Sequence, residues 1–422
     1  MPVRHPVVTA LLRLCNHWRY ALLRMRKHPV TVGNFISSPA KSAGSSMWRR
    51  ELTITTTKKL LGVAAAAGMI VALAGCGSAP TADPTKSGGA GGAVEGFMPC
   101  IVSGVGAGFE DNSFNELGLQ GLTEAAEELG VEYKSVVSVA TTDFENNIQS
   151  LIDEGCTLIT TVGFDQAAAT LAKAGENPEV QFVIIDDVAD GPDEDFDGPD
   201  EPNIKPVIFD TAQAAFLAGY ASASYSKSKV LGTFGGAPYP TVSIFMDGFK
   251  QGADYWNKQK NDTVKVVGWG DGTDGLFTGK FVPNADALKA SNDLIGEGAD
   301  VILPVGGSIY ESTVSAIEDS GKDIAMLGVD ADFFVTDPDI GPLVLTSILK
   351  AVDVGVKDAV LAAGKGDFDA TPFIGTLENN GVGIAPFHDF ESKVSADLQG
   401  ELDEITAGII DGSITVKSYL NG

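Results

Sequence analysis

The chain has 422 residues, of which 44% are hydrophobic, so it is long enough for two or more cores and too apolar for a disordered tail. It carries 56 acidic and 29 basic residues; eleven of the basic ones fall within residues 1–75, which leaves the remaining chain with a net charge of about −37. That charge argues against nucleic acid and anionic lipid surfaces as partners, because both are negatively charged themselves.

The first element along the chain is an apolar run from Leu60 to Ala74, which follows two lysines and ends in LAGC. The run is too short to span a membrane, which takes about 20 residues, and is typical of an export signal. The small residues before Cys76 resemble the lipobox of bacterial lipoproteins, in which this cysteine is diacylated and becomes the first mature residue. We therefore predict a lipid anchor at Cys76; the alternative is a signal anchor with an incidental cysteine.

The rest of the N-terminal region fits this interpretation. We expect residues 1–75 to be leader and signal peptide. A start at Met47 is favoured, because MWRRELTITTTKKLL is a suitable charged leader; the alternative, a start at Met1, gives an unusually long basic region before the apolar run. Residues 76–96 are rich in Gly, Ser, Pro and Thr, which predicts a flexible tether between the lipid and a folded body.

The body, residues 97–422, alternates short apolar runs with amphipathic segments. The runs are CIVSGVG, YKSVVSV, TLITTVG, QFVIID, KPVIF, VLGTFGG, VKVVGW, DVILPVG, IAMLGVD and LVLTSIL. Helical patterns such as GLTEAAEELG and NADALKASNDLIGEG lie between them. This rhythm predicts an α/β fold of two doubly wound parallel-sheet lobes. We place residues 97–211 and a returning segment, 343–370, in lobe one, and residues 212–340 with the C-terminal region in lobe two.

Two cysteines, Cys100 and Cys156, each stand at the start of a predicted strand. If the two strands are parallel neighbours, the cysteines lie at the same edge of the sheet. An exported protein can oxidise them, so we expect a disulfide, with two buried thiols as the alternative.

The acidic stretch DVADGPDEDFDGPDEP, residues 187–202, interrupts the pattern. It lacks the spacing of a calcium-binding loop, and its prolines favour a solvated insertion. We therefore expect no metal there.

Motifs for catalysis or cofactor binding are missing from the body. His388 is the single histidine after residue 75, which leaves one candidate for a His-dependent triad and rules out a His-rich metal site. The stretch GTDGLFTGKF has Asp274 where a phosphate loop needs its first glycine, and Phe281 where it needs Ser or Thr. Phe109 replaces the last glycine of a dinucleotide fingerprint. We expect no cofactor and no enzymatic activity.

Polar and aromatic residues do follow the predicted strands, where ligands of α/β proteins bind. Carboxylates can accept two hydroxyls, aromatic rings offer flat faces, and paired glycines let a ligand approach the backbone, so the set suits a flat heterocycle carrying a vicinal diol. Each residue also has a structural alternative: Asp111 and Asn112 as helix caps, Phe114 as core, Lys350 as a solvated charge. The candidates are Glu110, Asp111, Asn112, Phe114, Asn115, Phe164, Asp165, Phe277, Gly306, Gly307, Asp330, Asp332 and Lys350.

The order of several stretches resembles the basic membrane protein family of lipoproteins, the PnrA-like purine nucleoside receptors. The stretches are GFEDNSFNELGLQGL, TTVGF, PEVQFVIIDDV, AAFLAGYASA, GFKQGADY, GLFTGKF, EGADVILPVGG, GVDAD and LVLTSILKAVDVGV. The resemblance covers Cys100 to about Ser418. It implies a type I periplasmic-binding-protein fold and the substrate-binding role in an ABC importer.

By this resemblance, Asp111 and Asn112 would hydrogen-bond the ligand, and Phe114 would form one wall of a slot for the base. Phe277 would be the opposite wall, with Trp269 as its substitute if the loop is misaligned. The remaining assignments are Gly306 as a backbone donor, Asp330 for the ribose hydroxyls, Lys350 for the sugar, and Asp165 as a further acid, although VGFDQAA is shifted against the family pattern.

The resemblance implies a monomeric, lipid-anchored, extracytoplasmic protein that closes on a nucleoside and delivers it to a membrane permease and its ATPase. Two rivals remain open. One is a nucleoside-cleaving enzyme, which would need a dense cluster of aspartates on one strand end. The other is a binding protein or sensor for a sugar or a furanone-type signal, since sugar-binding proteins share the fold.

Overall fold

The computed structural model describes residues 92–191, 198–270 and 274–421. The predicted leader, Cys76, most of the tether and residues 192–197 of the acidic insertion lie outside these residues. No helix in the described ranges is both long enough and apolar enough to cross a membrane.

Strands and helices alternate along the described chain, as the sequence predicts. The strands are β1 (Pro99–Val102), β2 (Lys134–Val136), β3 (Leu158–Val162), β4 (Gln181–Ile185), β5 (Ile204–Phe209), β6 (Val230–Gly235), β7 (Lys265–Val267), β8 (Val301–Val305), β9 (Ala325–Asp330), β10 (Val344–Lys350), β11 (Phe373–Gly375) and β12 (Val382–Ile384). The helices are α1 (Phe114–Leu129), α2 (Phe144–Asp153), α3 (Ala167–Glu176), α4 (Thr211–Tyr225), α5 (Pro240–Lys260), α6 (Ala285–Gly296), α7 (Tyr310–Ser320), α8 (Phe333–Thr336), α9 (Val352–Gly364) and α10 (Leu398–Ile410).

The strands form two six-stranded sheets, which confirms the predicted fold class. Lobe one has the strand order β11-β5-β4-β3-β1-β2, and lobe two has the order β12-β10-β9-β8-β6-β7. All pairs are parallel except β10 with β12. In lobe one, Ile101 faces the core on one side of the sheet while Cys100 and Val102 face a second core on the other, so this sheet is buried on both faces.

The chain crosses between the sheets three times in its described part: after β5, after β10 and between β11 and β12. One predicted boundary was wrong. Strand β10 pairs with β9 in lobe two, although residues 343–370 were assigned to lobe one. The chain returns to lobe one only at α9, which packs on α1 of that lobe. The apolar run of β10 fits a central strand of either sheet, so its composition could not decide between them.

Close helix contacts fix the lobes internally. In lobe two, α4 and α5 cross at Gly219 and Gly252, where an added Cβ would lie 2.0 Å from the Phe249 carbonyl oxygen and 1.9 Å from the Phe216 carbonyl oxygen. Such an approach of two backbones requires glycine at both positions.

Cys100 and Cys156 are joined by a disulfide, with their Cα atoms 6.0 Å apart. The bond links the starts of the neighbouring parallel strands β1 and β3. It therefore lies near the amino ends of the strands, away from their carboxyl ends.

Candidate ligand-binding site

A cavity lies between the lobes, where the carboxyl ends of strands from both sheets meet. The cavity is partly open to solvent and lies in a cleft between two α/β lobes, which is a common position for small-molecule sites. Its lining contains the charged residues Asp111, Asp165, Asp186, Asp330 and Lys350, the rings of Phe114, Phe164, Phe245 and Phe281, and the glycine-containing turns 104–107 and 306–308.

Three of these residues form a buried charge cluster: Asp186, Asp330 and Lys350. They occupy or follow the last positions of β4, β9 and β10, so strands from both sheets bring them together. The Lys350 ammonium lies 2.5 Å from Asp186 Oδ2 and 3.5 Å from Asp330 Oδ1, and its side chain is 2% exposed. Charges this deeply buried must be paired, because an unpaired charge is costly away from water.

The cluster holds more negative than positive charge. Burial raises the pKa of Asp330 to about 6, even though the nearby Lys350 opposes the shift. Burial also raises the pKa of Asp186. For Lys350, burial lowers the pKa, but the charges of Asp186 and Asp330 outweigh it, so the pKa is raised overall and the ammonium keeps its proton.

One oxygen of the cluster is open as an acceptor. Asp330 Oδ2 accepts a hydrogen bond from Ser113 Oγ at 3.2 Å, whereas the buried Oδ1 accepts no hydrogen bond from the described residues. Both Asp330 (φ 66°) and Asp186 (φ 63°) have left-handed backbones, a conformation that costs energy outside glycine. Such strain is typical of residues kept for a binding role.

Asp165 follows β3 and also lines the cavity, although the sequence placed it least securely. Burial raises its pKa to about 6. A Cβ built on Gly163 would lie 3.1 Å from Asp165 Oδ1 and 3.8 Å from the Phe114 ring, so the carboxylate and the ring are close to each other. The Asp165 carboxylate is therefore placed to accept a hydrogen bond from the edge of a ligand ring stacked on Phe114.

Aromatic side chains from both lobes form a second group at the cavity: Phe164 and Phe281 line it, and Tyr239 packs on Phe164. We call Phe164, Tyr239 and Phe281 the aromatic rim. The Phe164 ring lies 4.0 Å from that of Tyr239 and 5.9 Å from that of Phe281, measured between centroids. Two further cavities open outside the rim, and both are lined by Phe164.

The Phe281 ring is seated on two glycines. A Cβ added to Gly236 or to Gly306 would lie 2.4 or 2.6 Å from its carbon atoms. Gly306, the predicted backbone donor, makes room for this ring because it lacks a side chain. Gly306 itself has a φ of 135°, which favours glycine.

The predicted wall residue Phe277 is not part of the cavity lining, and neither is its substitute Trp269. Phe277 pairs with Gly235, the last residue of β6, through an isolated parallel β-bridge. Its ring meets Trp269 edge to face at 6.3 Å. Phe281, four residues later in GLFTGKF, lines the cavity instead.

Asp111 and Asn112 also differ from the expected pair of ligand donors and acceptors. Asp111 lines the cavity, but both its oxygens are occupied by the backbone N–H groups of Ser113, Asn115 and Glu116 and by the Asn115 amide, at 2.9–3.1 Å. It caps α1, the structural alternative left open by the sequence. Asn112 is absent from the cavity lining and donates to Tyr310 of lobe two instead.

Sequence analysis missed Asp186, Phe164 as a rim residue, Tyr239 and Phe281. Asp186 carried a usable signal, since it follows the run QFVII just as Asp330 follows AMLGV. Phe281 and Tyr239 lie in loops without a regular pattern, so no comparable signal marked them.

Comparison with known proteins agrees with this architecture. The sequence model of the family described as "ABC transporter substrate-binding protein PnrA-like" matches residues 99–418. The ABC transporter nucleoside-binding protein BmpA of Lactococcus lactis is 27% identical over 379 residues, covering 86% of this chain and 99% of that protein. Basic membrane protein A of Borreliella burgdorferi is 25% identical over 332 residues, covering 78% and 90%.

Among solved structures, an ABC transporter solute-binding protein from Aeropyrum pernix aligns with a TM-score of 0.66 at 22% identity, covering 76% of this chain and 92% of that one. A solute-binding protein from Conexibacter woesei aligns with a TM-score of 0.58 at 18% identity, covering 76% and 99%. At these identities the likeness shows the fold, which is the type I periplasmic-binding-protein fold expected from the sequence.

Proposed function

Because the chain belongs to the PnrA-like family of ABC transporter substrate-binding proteins, we propose that it binds a nucleoside, with a purine as the preferred base, between its two lobes. The relative from Lactococcus lactis bears the name of a nucleoside-binding protein. The charge cluster and the rings at the cavity support the same ligand class here.

The observation that carries the proposal is the free acceptor of Asp330. Its buried Oδ1 lies beside the Lys350 ammonium and has no hydrogen-bond donor among the described residues. A vicinal diol supplies two hydroxyl donors to a carboxylate and an oxygen acceptor to an ammonium. Hydrogen bonds to charged groups contribute about 1.5–3 kcal/mol, so this end of the cavity selects a ribose.

The base would lie against Phe114 and Phe281, which line the cavity from lobe one and lobe two. Stacking on aromatic side chains contributes about 1–3 kcal/mol per base and tolerates different bases, because each has a π-face. Asp165, near the Phe114 ring, would accept a hydrogen bond from the edge of the base.

Delivery would follow from closure of the lobes about the three crossings, and the closed form would dock on a membrane permease whose ATPase drives transport. We propose that Cys76 anchors the protein to the extracytoplasmic face of the membrane and that it acts as a monomer. The Cys100–Cys156 disulfide supports export, since such bonds persist in oxidising compartments. A Cys76→Ser protein should leave the membrane fraction of cells; a wild-type protein already soluble and unacylated would refute the anchor.

The proposed role involves no covalent chemistry, and the family is one of substrate-binding proteins. Among the described residues, no group of His, Cys, Asp and Glu is arranged to hold a metal ion. Incubation of purified protein with inosine and assay for free hypoxanthine would detect the nucleoside-cleaving alternative directly.

Calorimetry tests the ligand class. We expect binding of adenosine, guanosine or inosine, weaker binding of uridine, and little binding of ribose or free bases, because each fragment engages only the cluster or only the rings. Tight binding of ribose alone would favour the sugar-binding alternative. Binding of none of these compounds would contradict the nucleoside proposal.

A further inference from the structure

We propose that the turn at residues 111–113 is a closure latch, which holds the two lobes together through Asn112, Ser113 and Tyr310, three side chains outside the cavity lining. The latch consists of Asn112 and Ser113 from lobe one and Tyr310 and Asp330 from lobe two. This inference rests on the proposed function, since it concerns how the protein retains the ligand of that same cavity.

The first contact of the latch joins Asn112 to Tyr310. The Asn112 amide donates to the Tyr310 hydroxyl at 3.2 Å, and this hydroxyl donates to Asp337 Oδ2 at 2.8 Å. Asn112 follows the first strand of lobe one, whereas Tyr310 begins α7 of lobe two. The bond therefore spans the cleft.

The second contact joins Ser113 to the end of β9. Ser113 Oγ lies 2.9 Å from the Val329 carbonyl oxygen and 3.2 Å from Asp330 Oδ2, and the serine is fully buried. The single hydroxyl proton is shared between these two acceptors, and Oδ1 is the Asp330 oxygen that accepts no hydrogen bond from the described residues. Closure of the lobes thus completes the ligand-binding group.

The turn is built to present these side chains before the lobes meet. Asp111 accepts hydrogen bonds from the backbone N–H groups of Ser113 and Glu116, which fixes the turn to the start of α1. Asn112 has a φ of 54°, a left-handed conformation that asparagine adopts more readily than most residues. All these bonds are within lobe one, so opening of the cleft would leave them intact.

The latch acts through the closure equilibrium, because Asn112, Ser113 and Tyr310 are absent from the cavity lining. The apparent dissociation constant of a ligand rises in proportion as the binding-competent closed state becomes less populated. Loss of a latch bond should therefore weaken every ligand by the same factor, and should do so by speeding release.

The test uses Tyr310→Phe, which removes one hydroxyl from a side chain that is 1% exposed. The matched control is Tyr220→Phe. Tyr220 is 3% exposed, and its hydroxyl donates to Glu401 at 2.8 Å. Both partners of that bond belong to lobe two, so the control loses a similar bond without touching closure. Asn112→Gly is a second latch variant, since glycine accepts the left-handed backbone.

Stopped-flow kinetics and calorimetry with guanosine, inosine and adenosine should show dissociation constants raised about three- to tenfold in both latch variants. The factor should be equal for all three ligands and expressed in the dissociation rate, and Tyr220→Phe should match the wild type. Unchanged constants in both latch variants, or a loss confined to one nucleoside, would overturn the latch while leaving nucleoside binding intact. A wild-type protein that binds no nucleoside would overturn the proposed function and the latch with it.

Discussion

The charge cluster and the aromatic rim are two groups of side chains at one cleft, yet the fold places them in different ways. Asp186, Asp330 and Lys350 stand at the ends of strands, where the sheets dictate their positions. Phe281 lies in a loop and reaches the cavity by packing on glycines, and Tyr239, also in a loop, packs on Phe164 beside the cavity. Charged groups buried in a fixed geometry suit a ribose of constant shape, whereas rings on loops suit bases of different shape.

The comparison predicts that changes in the cluster affect folding as well as binding, and the largest effect should come from Lys350→Met. This change leaves Asp186 and Asp330 buried together without a cation, which should lower the free energy of unfolding by about 3–5 kcal/mol. Urea unfolding of the variant and the wild type measures this difference in the free energy of unfolding. Because protonation relieves the repulsion between the carboxylates, the loss should be smaller at pH 5 than at pH 8.

The control for this prediction is Lys357→Met. Lys357 pairs with Glu124 at 3.1 Å on the surface of the molecule, with its side chain 32% exposed. Exposed pairs contribute at most about 1 kcal/mol. Equal losses for the two lysines would show that the cluster is no more important to folding than a surface ion pair.

The rim, in contrast, should affect binding more than folding. Phe281→Ala should weaken all bound nucleosides by about 1–3 kcal/mol, roughly five- to a hundredfold, through lost stacking. Phe277→Ala removes a ring that packs on Trp269 outside the cavity, so its dissociation constants should change by less than about threefold. Calorimetry on both variants decides which phenylalanine stacks on the base. A larger loss of affinity for Phe277→Ala would restore Phe277 as the wall residue, as the sequence predicted.

The pH dependence of binding separates the two groups further. Since the pKa of Asp330 is raised to about 6, its carboxylate takes up a proton as the pH falls through this value and loses strength as an acceptor. Binding of a ribonucleoside should weaken about tenfold from pH 7 to pH 5. The raised pKa also means that the contribution of Asp330 to folding stability decreases as the pH rises from about 4 to about 6, because the folded protein binds this proton more tightly than the unfolded chain.

A 2′,3′-dideoxynucleoside provides the comparison for the pH profile, because it has no diol for Asp330. Burial also raises the pKa of Asp165 to about 6, so part of the profile is common to both ligands. The difference between the pH profiles of the two ligands therefore gives the contribution of Asp330 to binding. If the two pH profiles coincide, Asp330 does not bind the ribose.

Sequence patterns predicted the cluster better than the rim. Parallel strands place their last residues at one end of the sheet, so Asp330 and Lys350 could be selected from the apolar runs that precede them. Two strands of three residues, β11 and β12, and helix α10 were not predicted. The short strands carry too few residues to show a period.

The side-chain partners could not be predicted by the same reasoning. Asp111 has the sequence features of a ligand acceptor, but its oxygens are taken by helix N–H groups, and Asn112 turns to the other lobe. Phe277 and Phe281 lie four residues apart in one irregular loop and both rings pack on glycines, but only Phe281 of the two lines the cavity. These outcomes depend on contacts between distant segments, which local patterns do not encode.

The most direct test of nucleoside recognition compares guanosine with 2′,3′-dideoxyguanosine by calorimetry, on the wild-type protein and on Asp330→Asn. The wild type should prefer guanosine by about ten- to a hundredfold, because two hydrogen bonds to a buried carboxylate depend on the diol. In Asp330→Asn most of this preference should disappear, while binding of the dideoxynucleoside changes little. Equal affinity of the wild-type protein for the two ligands would contradict the assignment of the charge cluster to the ribose.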